Sequence, residues 1–173
     1  MRIVFLGDSH LARVRRDLTL VARDVHNAAE GGASTRDLVA QATGAAVEDS
    51  DLVVLSVGTN DAAPWKQVPV PAFARALLHL MESVPARGWV YVAPPGVDEA
   101  RLTGAGDRTN ATIDAYRAAA LAVCDDLGAG VVRTERVIEP LGAAAFVDDG
   151  LHLSGPAYKA VLRAIADAVH ERA

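Results

Sequence analysis

Residues 1–14 read MRIVFLGDSHLARV. Residues 3–6 are a short, continuously apolar run, the pattern of a strand buried on both faces of a sheet. Gly7 breaks the run, Asp8 and Ser9 are residue types that open helices, and a helical pattern follows, so the stretch reads as strand, turn, helix. Taken alone, Gly-Asp-Ser is punctuation, and a lone serine there is more often a simple cap than a nucleophile.

The same rhythm continues along the chain. Short β-branched runs at residues 3–6, 24–27, 52–57, 89–93 and 130–133 alternate with helical patterns, without repeats or low-complexity tracts. Val70, Phe73, Leu77, Leu80 and Val84 recur at helical spacing, as do Ile113, Tyr116, Ala120, Val123 and Leu127, and then Tyr158, Val161, Leu162 and Ile165. Five strands separated by helices imply right-handed βαβ units, so the fold class expected is α/β: a five-stranded parallel sheet in a three-layer α/β/α sandwich, with flavodoxin-like strand order. Two connections, 94–107 and 134–148, are longer than packing requires and are expected to wall a cleft.

Composition narrows the function classes. At 173 residues the chain is expected to form one domain, 1–173, with a core of Ala, Val and Leu because aromatics make up only 5%. The net charge is -5 and the 17 basic residues are spread along the sequence, which argues against a nucleic-acid partner. No stretch approaches the length of a membrane span, so a cytoplasmic protein is expected. One cysteine, Cys124, excludes an intrachain disulfide and argues against a cysteine metal site; it reads as a small core residue.

In an open parallel sheet, ligands bind where strands end and helices begin. Four such crossings carry polar groups: Ser9 after the first strand, Gly31 and Gly32 after the second, Asn60 after the third, and Asp149 with His152 before the last helix. These are the parts of acyl transfer to a hydroxyl: a serine, an imidazole to take its proton, a carboxylate to hold the imidazole in one tautomer, and donors for the oxyanion. Gly150 lets one short loop deliver both Asp149 and His152. Singly, each has a duller reading: Asn60 and Asp61 as turn formers or caps, His152 as a surface or satisfied histidine, Asp149 as a solvated acid or turn former; Asp8, Asp61 and Asp148 lack the spaced His or Cys partners of a metal site. Ser34, in GGASTRD, reads as a helix cap.

In these four blocks the sequence resembles the SGNH hydrolases, also called GDSL esterases and lipases. FLGDSHLA, NAAEGGAST, VVLSVGTNDA and DDGLHLSGPAY are similar to the family's four motifs, across residues 2–158. The resemblance implies the SGNH hydrolase fold and metal-independent hydrolysis of a small-molecule ester or thioester through an acyl-enzyme. It implies Ser9 as nucleophile, His152 as base, Asp149 as its partner, and an oxyanion hole of Ser9, Gly32 and Asn60, with Gly31 as the alternative glycine. No cofactor or metal is expected. Two departures stand out: His10 where the family usually has Leu, and Ala29 where many members carry Gly. Trp65 is a candidate for lining the substrate pocket. An acyltransferase on the same scaffold, or a binding module without turnover, are the alternatives, and the oligomeric state is open.

Overall fold

The computed structural model describes residues 1–102 and 107–172. Five strands form one sheet: β1 (Ile3–Gly7), β2 (Val25–Asn27), β3 (Leu52–Ser56), β4 (Gly88–Val92) and β5 (Gly130–Val132). All pairings are parallel, in the order β2-β1-β3-β4-β5. This is the flavodoxin-like order, and its reversal beside β1 opens a crevice at the carboxyl ends of β1 and β3.

Alternate side chains of each strand enter opposite cores. Val4, Leu6, Val53, Leu55 and Tyr91 face one layer, where they meet α2 (Leu38–Gly44), α3 (Val70–Ser83) and α4 (Asn110–Asp126). Ile3, Phe5, Val54, Val90 and Val132 face the other, against α1 (Ser9–Ala12), α5 (Thr134–Ile138) and α6 (Gly155–His170). The helical stripes read from sequence bury as expected at Phe73, Leu77, Leu80, Ile113, Tyr116, Ala120, Val161, Leu162 and Ile165, whereas Leu127 lies beyond the end of α4 and is exposed. Cys124 is fully buried, and burial pushes its thiol up to about 12. Among the described residues no helix is long and apolar enough to cross a membrane.

The two long connections differ from the expected cleft walls. Residues 134–148 are largely helical, as α5 and a 3-10 segment (Glu139–Ala145), with Ile138 and Ala145 buried in the core beside α6. Residues 94–107 fall partly outside the described residues (103–106), and the rest acts as a brace. The Asp98 amide donates to the Gly150 carbonyl at 2.7 Å, and Arg101 Nη1 donates to the Phe146 carbonyl at 3.1 Å. No residue of 134–148 lines the crevice, and Ile138 and Ala145 are held in the core.

Candidate active site

The segment around Ser9, the candidate nucleophile, is set by hydrogen bonds that the sequence pattern did not reveal. The Gln41 carboxamide, from α2, grips Gly7 at both ends: the Gly7 amide donates to Oε1 at 2.7 Å and Nε2 donates to the Gly7 carbonyl at 3.0 Å. Asp8, extended at the helix start, caps α1 by accepting from the His10 amide at 2.9 Å. The capping role expected of a lone serine thus falls to its neighbour, and Ser9 is left as the first helical residue with its hydroxyl free to point outward. Its backbone N–H is one of the helix-start donors that have no carbonyl within the helix.

The hydroxyl meets His152. Ser9 Oγ lies 3.0 Å from His152 Nε2, across 143 residues of sequence. On the far side of the ring, His152 Nδ1 lies 2.7 Å from Asp149 Oδ2, while Asp149 Oδ1 accepts the backbone amides of Leu151 at 2.9 Å and His152 at 2.8 Å. Burial opposes ionisation of Asp149, but the His152 amide, the His152 ring and the Leu151 amide outweigh it and hold the carboxyl down at about 2. The tight turn depends on Gly150 at φ +68°, where a Cβ would come within 2.6 Å of the Asp98 carbonyl oxygen.

Opposite Ser9 stand the second and third blocks. Asn60 Nδ2 donates one hydrogen to the Ala33 carbonyl at 2.9 Å, leaving its second hydrogen for the crevice. Asp61, wholly buried, ties the two blocks together: it accepts from the Thr35 amide (2.9 Å), the Thr35 hydroxyl (2.6 Å) and the Gly58 amide (3.1 Å). Burial pushes its carboxyl up even so. Gly32 takes φ +82°, a conformation side chains rarely adopt, and its carbonyl accepts from Lys66 Nζ. Gly31 needs no such conformation but also borders the crevice.

The crevice itself holds about 450 Å³, open to solvent, between Ser9 and His152 on one side and Gly31, Gly32 and Asn60 on the other, with Ala12, Arg13, Arg15 and Leu151 at its edges. The structure therefore brings together Ser9, His152, Asp149, Gly32 and Asn60. Trp65 lies outside this lining: it is 65% exposed, with the Arg108 guanidinium 4.9 Å above its ring. Arg108, 4% exposed, donates through Nη1 to the Thr59 carbonyl at 3.0 Å and to Asn60 Oδ1 at 3.4 Å, so it braces the carboxamide from behind. Nothing in its sequence context signals this; nor did Gln41 stand out. Ser34 is not a helix cap: its amide and hydroxyl both donate to Asp37 Oδ2, closing a turn before α2.

His10 stands next to Ser9 but outside the hydrogen-bonded chain of Ser9, His152 and Asp149. It is buried, neither ring nitrogen has a partner among the described residues, and its ring centroid is 6.0 Å from that of His152. Burial, then the neighbouring His152 and Arg108, push it down to about 3, so it stays neutral. Asp8 and Asp61, which might have suggested metal ligands, hold backbone amides instead. Burial pushes Asp8 up to about 7.

Residues 5–160 match the model of the GDSL-like Lipase/Acylhydrolase family. No curated protein sequence matches the chain. Among solved structures, the lipase/acylhydrolase from Enterococcus faecalis is similar with a TM-score of 0.83 at 23% identity, covering 99% of this chain and 97% of that one. LAE5, an alpha/beta hydrolase enzyme from the metagenome of Lake Arreo, gives 0.77 at 19% over 98% and 94%. Axe2, an acetylxylan esterase from Geobacillus stearothermophilus, gives 0.76 at 17% over 97% and 93%. At such identities these structures speak for the shared fold, and the family model speaks for the rest. Matched over nearly its whole length, the chain belongs to the GDSL-like lipase/acylhydrolase family and is a carboxylic ester hydrolase.

Proposed function

We propose that the protein cleaves small acyl esters, thioesters included, by a Ser9–His152–Asp149 relay. The observation that carries this reading is the 3.0 Å approach of His152 Nε2 to Ser9 Oγ. In the resting enzyme Ser9 Oγ–H donates to Nε2, and Nδ1–H donates to the Asp149 carboxylate, which fixes that tautomer. As Ser9 Oγ attacks the substrate carbonyl, His152 takes the hydroxyl proton, and the Asp149 anion stabilises the imidazolium formed. Charge developing on the carbonyl oxygen is met by the Ser9 amide, the Gly32 amide and the free hydrogen of Asn60. Collapse of this intermediate expels the alcohol or thiol, which takes its proton from His152, and leaves the acyl group on Ser9. Water, deprotonated by His152, then attacks the acyl carbonyl, and the carboxylic acid departs as Ser9 recovers its proton.

An open crevice of about 450 Å³ has room for a small acyl group together with its leaving group. A serine-directed fluorophosphonate tests the nucleophile: the wild type is expected to label at Ser9 and Ser9→Ala to lose both label and turnover. A chain-length series of p-nitrophenyl esters, run beside acetylated xylose and an acyl-CoA, identifies the acyl and leaving groups. Turnover that survives in Ser9→Ala, or a label on another residue, overturns the assignment.

A further inference from the structure

Three of the 17 basic residues, Arg13, Arg15 and Arg16, follow Ser9 closely in sequence, and the fold brings Lys159 to them. Arg13 follows α1 by one residue, and its amide donates to the Ser9 carbonyl at 3.1 Å, so it lies one helical turn from the nucleophile on the same side. Arg13 and Arg15 both border the crevice. The same two residues also border an adjoining groove, together with Arg16 and, from α6, Lys159. All four cations are exposed.

Their neighbours do not neutralise them. Arg2, Arg101, Arg108, Arg117 and Arg133 each pair with a carboxylate. Among the described residues, Arg13, Arg15, Arg16 and Lys159 form no ion pair. Asp17 is the acid beside them in the groove, and Asp149 is already engaged with His152. The backbone that carries the arginines is held: Asn27 Nδ2 donates to the Leu11 and Val14 carbonyls, each at 2.9 Å, and Leu11 and Val14 are buried. Four cations against one acid, Asp17, on a tethered backbone in a chain of net charge -5 make a strip of local positive field at one mouth of the crevice.

We propose that this strip, with Arg13 and Arg15 at its head, selects esters that carry a phosphate a few bonds from the scissile carbonyl. This rests on the esterase reading above. A rise of 1.5 Å per residue puts Arg13 about 6 Å along the axis from Ser9, so a phosphate held there leaves the carbonyl at the serine hydroxyl. The planar guanidinium fork suits phosphate oxygens, and two arginines offer more than one such pairing.

Matched substrate pairs test the proposal. With the phosphate on the alcohol, 1-acetylglycerol 3-phosphate is compared with 1-acetylglycerol; with it on the acyl group, the p-nitrophenyl ester of 3-phosphonopropanoate is compared with p-nitrophenyl butanoate. An exposed ion pair contributes roughly twofold to fivefold, so two arginines favour the charged member of at least one pair by about tenfold in kcat/KM. The pair that shows the preference identifies which side of the ester holds the phosphate. The gain is expected mainly in KM and to shrink as salt is raised. In Arg13→Glu/Arg15→Glu the ratio of charged to neutral substrate drops below one; Arg13→Gln/Arg15→Gln serves if the reversal impairs folding, and Arg15→Lys retains most of the ratio. A wild-type ratio near one in both pairs, or a ratio indifferent to these variants, overturns the proposal while hydrolysis of the neutral esters upholds the esterase reading. Failure to hydrolyse any of the four substrates overturns both.

Discussion

Two acid–imidazole pairs lie side by side in this molecule, one on each of the segments that meet at the crevice. Asp8 and His10 belong to the turn after β1, Asp149 and His152 to the turn before α6. Their rings are 6.0 Å apart, yet their electrostatics are opposite. Asp149 is partly solvated and accepts three hydrogen bonds, and its carboxyl is held at about 2. Asp8 is wholly buried with one oxygen unpartnered, and its carboxyl is pushed up to about 7. His152 is gripped at both nitrogens, His10 at neither. Residue type does not decide which pair can run proton transfer; donors and water decide it, because a carboxylate that must steady an imidazolium has to be comfortable as an anion.

The sharpest break of this comparison is to remove each imidazole in turn. His152→Ala is expected to lower kcat by about four to six powers of ten, the range for losing a triad base, with little change in melting temperature. His10→Leu is expected to keep kcat within about threefold and to stabilise the fold, because two buried, unsatisfied ring nitrogens disappear. Steady-state rates on a p-nitrophenyl ester and thermal melts read both. A thousandfold loss in His10→Leu would make the two histidines a single unit and erase the contrast.

The carboxylates give the next effect. Asp149→Asn keeps the shape of the loop but loses the anion and can stabilise the wrong tautomer, and a fall in kcat of about a thousandfold is expected. Asn60→Ala, on the opposite wall, is expected to cost about a hundredfold to a thousandfold, the range for one oxyanion donor. If Asp149→Asn lost less than tenfold, water at the half-exposed carboxylate would be orienting the ring in its place.

Much of this arrangement was legible from the chain. Short apolar runs alternating with helical stripes predict a parallel sheet covered on both faces, because the apolar pattern reports burial directly. Ser9, Asn60, Asp149 and His152 were legible for a different reason: each sits at a strand or helix boundary where a polar residue has no packing duty. Gln41 and Arg108 were not. Gln41 lies within a helix and Arg108 just before one, in ordinary polar surroundings, and their roles exist only once the Gly7 backbone and the Asn60 carboxamide come within reach. The connection 134–148 misled because length reports functional loops only when the loop is not needed for the core, and Ile138 and Ala145 are needed. Of the basic strip, Arg13, Arg15 and Arg16 are neighbours in sequence, and what only tertiary packing reveals is that Lys159 joins them.

The subtlest expected difference is in stability against pH. Asp8 releases its proton near the usual value of 3.8 when unfolded but near 7 when folded, so between those values the native state holds a proton that the unfolded chain has lost. Its contribution is therefore favourable below about 4 and fades as pH rises to about 7, a loss of at most about 4 kcal/mol. Asp149 runs the other way: depressed when folded, it supports the native state above its ordinary range and loses that support as pH falls toward 2. Asp8→Asn removes only the first slope, since an asparagine oxygen can still cap α1 by accepting from the His10 amide. His10, held neutral in the fold at about 3, adds an opposite slope below its ordinary 6.5 that both proteins share, so the check is their difference: Asp8→Asn is expected to gain several degrees on wild type between pH 5 and pH 8, at about 2–4 °C per kcal/mol, and to melt above it at pH 8. Parallel curves for the two proteins would mean that water reaches the unpartnered Asp8 oxygen, and the difference between the two carboxylates would then lie in their partners alone.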